Sequence, residues 1–362
     1  MEPINVKSVN SALRNKLKIV FLATEEEVNK VSNLEYATNK LYDANSRKMS
    51  IEIQRDMLSS LLKDLQTELS SSSVDTLKQL VFETEIHFSG RGFDFDITTQ
   101  PLIYSILNLT PDSFYDGGVN NSISGVLKRI ESEQEAGAQV FEVGGKSSKP
   151  HFDDISPEAE WSRLAPYLKE IHANFPDIVL AIDSNTPEVI KLALDDGIQI
   201  INDIDGFNSK SKLDLVKEYQ PAVVSMFNGR NFNEQAETLI KTMDNFFDQN
   251  LEDLLATGIK PENIVLDPGV GFSDHNTLEF DLIKMKYTKQ MTRFNVPIMI
   301  AISRKSFASR LFDLDSADDR LLPTLLFESL MSVLGGRIIR VHDVKETAMM
   351  TKTFELLKAA LD

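Results

Sequence analysis

The stretch Ile178–Asp203, IVLAIDSNTPEVIKLALDDGIQIIND, decides the fold. An apolar run at 178–182 ends on Asp183, and a second run at 198–201 ends on Asn202-Asp203. Between them, 187–196 carries apolar residues at helical spacing. Two short strands joined through a helix are expected to run parallel, with the helix as the crossover.

Outward from this stretch the same unit recurs. Apolar, β-branched runs stand at 103–107, 139–143, 222–226, 263–266, 297–302 and 337–341. Helical periodicity marks 156–173, 233–257, 322–335 and finally 344–361. Such strand–helix units, repeated over about 260 residues, match a (β/α)8 TIM barrel in number and length, and that is the fold class expected for residues 96–362. Periodicity alone also admits an open, doubly wound sheet.

Polar residues weigh toward the barrel, because each apolar run is followed by a group of a kind that binds something. Asn108-Leu109-Thr110-Pro111-Asp112-Ser113-Phe114 follows the first run, and Gly144-Gly145-Lys146-Ser147-Ser148-Lys149-Pro150 the second. Met226-Phe227-Asn228-Gly229 closes the fifth, Asp267-Pro268-Gly269-Val270-Gly271-Phe272 the sixth, Ser303-Arg304-Lys305-Ser306 the seventh and His342-Asp343 the eighth. In a barrel all these strand ends meet on one rim, where they make one site. Any one of them alone reads as a turn or a cap.

Composition narrows the function. The 362 residues are ordinary for a globular chain, with 42% hydrophobic and 26% charged residues. The net charge of −17 argues against non-specific nucleic-acid binding and against an anionic membrane surface as partner. It does not argue against a small anionic substrate, since a local cluster of Lys and Arg can oppose the global field. Cysteine is absent, so disulfides, a thiolate nucleophile and Cys-ligated metals are excluded. His87, His151, His172 and His275 show no metal spacing. Ile19–Ala23 is too short to span a bilayer or to form a signal-peptide core, and a cytoplasmic protein is expected.

Residues 1–95 differ in character and are read as a small N-terminal α/β extension of unknown role. Ile19–Ala23 reads as one buried strand, and Thr24 before Glu25, Glu26 and Glu27 as a capped helix start. Met57, Leu58, Leu61, Leu62, Leu65 and Leu69 recur at helical spacing, and Ser70–Ser73 reads as a short polar linker.

The motifs together resemble a known family. Ile106–Gly118, ILNLTPDSFYDGG, looks like the first signature of the dihydropteroate synthases, and Val143–Pro150, VGGKSSKP, resembles the second. The segments around Asp183, Asn202-Asp203, Asp267–Phe272, Ser303–Phe307 and Arg340–Val344 follow in the family's order, over roughly 88–361. The resemblance implies an enzyme of folate biosynthesis and sulfonamide target. It would condense 6-hydroxymethyl-7,8-dihydropterin diphosphate with p-aminobenzoate, releasing pyrophosphate, and would work as a homodimer. Phe312, Leu321 and Leu322 stand near a helix start that suits core or interface equally.

Two chemical demands follow from that reaction. The pterin ring needs in-plane partners: Asp183 and Asp267 as acceptors, Asn202 as both donor and acceptor, Lys305 as donor, and Met226 and Phe272 as flat walls. The departing diphosphate needs positive charge, which Arg340 would supply as a bidentate fork, with His342, Asn108 and Ser148 beside it. The resemblance places Asn108, Asp112, Lys149, Lys305, Arg340 and His342 in catalysis, Asn108 on a Mg2+ that bridges the diphosphate, and Ser306 with Lys305 near the aminobenzoate carboxylate. A dissociative displacement is expected, inside loops 109–120 and 146–155 that close and exclude water.

The chain departs from the family in places. Lys149 stands where Arg is usual, Phe227 where His is common, Lys146 where Glu is common, Glu142 where Asp is common, and Ser148 where Thr is common. Lys149 keeps the charge but loses the fork. Two other readings stand beside the synthase. One is a pterin-dependent methyltransferase, which needs no diphosphate clamp; the other is a pterin-binding paralogue without turnover.

Overall fold

The computed structural model describes residues 1–9, 16–109, 122–146, 155–229, 238–272 and 277–360. They divide into two compact units, one of Met1–Ile86 with the C-terminal residues from Lys358, the other His87–Leu357.

In the first unit, strands β1 (Glu2–Val9), β2 (Lys16–Leu22), β3 (Thr38–Asp43) and β4 (Lys48–Gln54) form an antiparallel sheet in the order β1-β2-β4-β3. Leu17, Ile19 and Phe21 alternate with partly exposed residues along β2, as Met49, Ile51 and Ile53 do along β4, so one face of the sheet is apolar. Helices α1 (Glu25–Ser32), α2 (Leu58–Asp64) and α3 (Ser71–Phe82) complete the unit, contributing Val31, Leu61, Leu77 and Val81 to its core. Thr24 and Glu27 form a reciprocal capping box at α1. Ser70–Ser73 is not a linker: Ser70 caps α3, its Oγ accepting the Ser73 N–H at 3.1 Å, and the next three serines make the first turn. The serine run satisfies orphan amides at a helix start, which a composition-based reading of a polar stretch does not reveal.

The second unit opens with a hairpin of β5 (His87–Gly90) and β6 (Phe93–Asp96), turning at Gly92 with φ +79. Its Ser89 lies 3.4 Å from Asn263, just before the sixth barrel strand. Eight parallel strands follow: β7 (Leu102–Asn108), β8 (Val140–Gly144), β9 (Val179–Asp183), β10 (Ile200–Asp203), β11 (Ala222–Met226), β12 (Ile264–Asp267), β13 (Met299–Ile300) and β14 (Ile338–Val341). β14 pairs with β7, and a bridge between Leu266 and Ile298 closes the sheet between β12 and β13. The fold is therefore the barrel, and not the open sheet. Helices α4 (Ile123–Glu135), α5 (Pro157–Asn174), α6 (Pro187–Asp195), α7 (Lys210–Tyr219), α8 (Leu239–Ala256), α9 (Leu278–Met291), α10 (Phe307–Phe312), α11 (Leu321–Val333) and α12 (Val344–Ala360) supply the crossovers and the last helix. The run expected at 297–302 yields only two strand residues, Met299 and Ile300. The helix expected from 233 is described from Leu239 on.

Strand alternation sorts the barrel's residues. Ile103, Leu107, Phe141, Val143, Leu180, Ile182, Ile201 and Val341 belong to the core shared with the helices. Their neighbours in the other phase, Tyr104, Ile106, Asn108, Glu142, Ala181, Asp183, Asn202 and Arg340, face the barrel interior. Tyr104, Ile106 and Ala181 fill it, and the polar members of that phase occupy the C-terminal ends.

Candidate active site

Pairing register brings the polar strand ends side by side. Asn202 lies opposite Asp183, Met226 opposite Asp267, and Asn108 opposite Gly144. A Cβ added at Gly144 would lie 3.7 Å from the Asp183 Cβ and 3.9 Å from Asn108 Oδ1, so the bare glycine leaves room between these two side chains.

Arg340 is the hub. Its Nε donates to Glu142 Oε1 at 2.8 Å, its Nη2 donates to the same oxygen, and Nη2 also reaches Asp183 Oδ2 at 3.2 Å. Nη1 has no partner among the described residues. The fork expected to hold phosphate is thus turned partly onto two carboxylates, and one guanidinium edge stays open. Glu142 is buried, and its second oxygen accepts Asn202 Nδ2 at 2.9 Å. One Asn202 N–H is engaged there, which leaves Oδ1 and the second N–H for a ligand. Burial, seconded by Glu142, pushes the Asp183 carboxyl above its ordinary range, while Arg340 opposes the rise.

The loop after β12 is built as firmly as a strand. Asp267 Oδ1 accepts the Gly269 N–H at 2.7 Å, and Asp281 Oδ1 accepts the Gly271 N–H at 2.6 Å. Lys305 Nζ donates to Val270 O at 2.5 Å, and Lys284 Nζ to Gly269 O at 3.2 Å and also to Phe272 O. Lys305 lies over the Phe272 ring, 4.6 Å from its centroid. Gly269, with φ +70, is required: a Cβ there would fall 1.7 Å from Phe227 O. Burial lifts the Asp267 carboxyl, with Lys305 pulling it back, and burial lowers the Lys305 ammonium to about 8 against the pull of Asp267.

Phe227 and Lys284 explain each other. Phe227 is fully buried against Phe246 and Phe247, and Lys284 sits 5.2 Å from its ring centroid. The position where the family commonly has a histidine therefore serves the core here. Lys284 was not singled out from sequence, since on a helix rich in Lys it looks like a solvated charge; its only signal is a place on the face shared with Asp281 and Thr288.

On the eighth strand's exit, Ser303 Oγ accepts the His342 N–H at 3.2 Å and lies 3.1 Å from His342 Nδ1. The hydroxyl hydrogen can then go to Nδ1, which leaves the ring proton on Nε2. Burial, reinforced by Arg340, Arg129 and Arg304, lowers His342 to about 3, so it is a neutral donor at physiological pH. Arg304 is structural, binding Asp343 through Nε and Nη2, both at 2.7 Å. Ser306 is exposed at the start of α10 and caps no backbone group. Asp203 is held by Lys212 at 2.8 Å and by the Phe207 N–H, away from any ligand role. Lys146 binds Asn185 at 2.9 Å and Thr186 at 3.1 Å. Asp112, Ser148 and Lys149 lie outside the described residues, as does most of both expected loops. Among the described residues, no group of three or more His, Cys, Asp or Glu is placed to hold a metal, and no helix is long and apolar enough to cross a membrane.

With this geometry in hand, comparison with known proteins gives one answer. A family model described as pterin binding enzyme matches residues 104–342. The dihydropteroate synthase of Escherichia coli K12 is 30% identical over 275 residues, covering 75% of this chain and 96% of the relative. Among solved structures, the Yersinia pestis dihydropteroate synthase in a sulfonamide drug complex aligns with a TM-score of 0.67 at 27% identity, covering 76% of this chain and all of that one. The Clostridium difficile enzyme, solved in the presence of pteroic acid, aligns at 0.66 and 29%, covering 73% and 98%.

Proposed function

Because this chain belongs to the dihydropteroate synthases, a family of pterin-binding enzymes, we infer that it is a transferase joining 6-hydroxymethyl-7,8-dihydropterin diphosphate to p-aminobenzoate. The products are 7,8-dihydropteroate and pyrophosphate. One observation carries this reading at the level of chemistry, namely how the open polar atoms divide on the rim. Asp183, Asn202 and Asp267 each leave an oxygen acceptor, while Lys305 and Arg340 leave donors.

A dihydropterin presents the complementary set. Its amino group and ring N–H groups donate to the three acceptors, and its carbonyl accepts from Lys305. Met226, which is buried, and Phe272 offer the flat contacts. At the diphosphate end, the methylene C–O bond breaks and the electron pair leaves with the phosphate oxygen. Negative charge builds there, where the open edge of Arg340 and the His342 ring supply N–H donors. The aniline nitrogen of p-aminobenzoate captures the methylene carbon and releases a proton. Ser306 and Lys305 support the aminobenzoate carboxylate, and sulfonamides, as mimics of that substrate, take the same place.

Asn108 fits the Mg2+ assignment. It contributes one neutral amide oxygen, and among the described residues no carboxylate cluster is placed to hold a metal, a donor set suited to a Mg2+ held mainly by waters and substrate phosphate. When bound, that ion offsets charge on the leaving diphosphate.

Two further assignments complete the reading. Leu322, Leu326, Leu330 and Val333 repeat along one face of α11 and are all exposed, as is Phe312 on α10. We assign this stripe to the contact between two copies of the chain, and we assign the enzyme to the cytoplasm.

The deciding measurement is pyrophosphate release and dihydropteroate formation with Mg2+ and both substrates. Release that needs both, and that collapses in folded Asp183→Ala and Arg340→Ala variants, supports the synthase. Dihydropterin binding without turnover supports the paralogue instead, and neither binding nor turnover sinks the pterin reading.

A further inference from the structure

Lys284 of α9 is fully buried, and it has no part in the transfer chemistry. Taking an ammonium out of water is costly unless its hydrogens are met, so its partners say what it is for. Its Nζ donates to Gly269 O at 3.2 Å and to Phe272 O, and it lies 5.2 Å from the centroid of the Phe227 ring. We propose that Lys284 is a positioning residue that holds the Gly269–Phe272 turn in place and, through that turn, sets Lys305 and the Phe272 ring against the pterin. This role rests on the pterin reading above and names a residue that tunes the same site from the helix layer.

The turn is short, and each of its four residues is tied. Gly269 and Gly271 have φ of +70 and +82, and the Phe272 N–H returns to Gly269 O at 3.1 Å. Lys284 binds the carbonyl at each end of that closed turn. One helical turn earlier on the same face of α9, Asp281 accepts the Gly271 N–H at 2.6 Å. An acid and a base of one helix thus match the amide and carbonyls of one loop. Lys305 meets the remaining residue, donating to Val270 O at 2.5 Å with its ammonium 4.6 Å from the Phe272 centroid. Two lysines therefore share the turn, one from α9 and one from the rim. The Phe227 ring, packed against Phe246 and Phe247, gives Lys284 a fixed seat. With a neutral side chain at 284, Phe272 O loses this donor and Gly269 O keeps only the Phe272 N–H.

Lys284 also reaches Lys305 through space. The charges that bear most on Lys305 are Asp267 on β12, Arg340 on β14, and Asp281 and Lys284 on α9. The carboxylates favour its ammonium form, while Arg340 and Lys284 disfavour it. Removing the charge at 284 moves Lys305 upward, and so does any loosening of the turn that lets water reach it.

The test is affinity for 6-hydroxymethyl-7,8-dihydropterin, measured by calorimetry on the full chain across about pH 8. Lys284→Met, similar in length and uncharged, should weaken binding roughly 10- to 100-fold, the cost of unmet buried polar groups. It should also move the decline in affinity, set near about 8 by the native Lys305, to higher pH. Weaker binding with an unmoved decline would show a general structural role and overturn the proposal. An affinity like the native one, or no decline in either protein, overturns it too and leaves the pterin reading standing. Should Lys284→Met not fold, Lys284→Gln replaces it. That side chain keeps N–H donors for the carbonyls and drops the charge, so a smaller loss with the same upward shift is expected, and an unmoved decline again overturns the proposal. A native protein that does not bind the dihydropterin sinks the pterin reading and this role together.

Discussion

Gly269→Ala is the sharpest single probe of the loop after β12. The new Cβ would fall 1.7 Å from Phe227 O, where real Cβ contacts are not found under 3.0 Å, at a residue with φ +70. Phe227 is buried and packed against Phe246 and Phe247, so the loop must give way by about 1.3 Å. That movement carries the partners of Asp267 and Lys305 with it, and misplacement of about 1 Å at a reacting site costs about 10²-fold. The left-handed backbone adds about 1–2 kcal/mol of strain, and loosening the Gly269 hydrogen bonds adds about 1 kcal/mol each. The expected result is about 10²-fold lower kcat/KM for pyrophosphate release, weaker dihydropterin binding, and an apparent Tm lower by about 5–10 °C. Gly92→Ala is the control: φ is +79, but nothing lies within 4 Å, so it should lose some stability and no activity. A Gly269→Ala enzyme with native kcat/KM and native Tm would refute the claim that this loop geometry positions the site.

Other outcomes follow from the charges. Arg340→Met should lower kcat/KM about 10²- to 10³-fold. It should also shift the acid limb of pterin binding to higher pH, because the guanidinium is what holds the Asp183 carboxyl down; an unmoved limb in a pH titration of affinity argues against their coupling. Lys305, lowered to about 8 from 10.5, is charged below that pH, so dihydropterin affinity should decline as pH rises through about 8. Lys305→Arg stays charged throughout and should abolish the decline, which calorimetry across that range reads directly. Stability runs the other way: between those values the unfolded chain holds the extra proton, so this group adds stability as pH rises. Leu326→Glu should convert a dimer to monomers in sedimentation velocity, and a native chain that sediments as a monomer would remove the α11 assignment.

Much of this was legible in the sequence because strand ends are. A residue such as Asp183 or Asp267, polar at the end of an apolar run, declares both the end of a strand and the rim of a barrel. What the sequence left dark depends on pairing across the fold. Glu142 sits inside an apolar run, and a charge there was the available signal that something buried must neutralise it. That its partners would be Arg340 and Asn202, hundreds and tens of residues away, is set by which strands become neighbours. The direction of the Asn202 amide and the burial of Lys284 are likewise tertiary facts. Ser70 shows the local version: one hydroxyl made a helix cap of an expected linker.

The barrel's closure has a consequence for how the enzyme responds to its substrate. Between β12 and β13 the ladder amounts to the single Leu266–Ile298 bridge and the Leu266 N–H to Pro297 O bond at 3.0 Å. So thin a seam has few hydrogen bonds to hold it. The two loops that leave it are those that carry Asp267 and Lys305. A ring that bonded both would span the gap as a staple, so filling the site should tighten the whole cylinder.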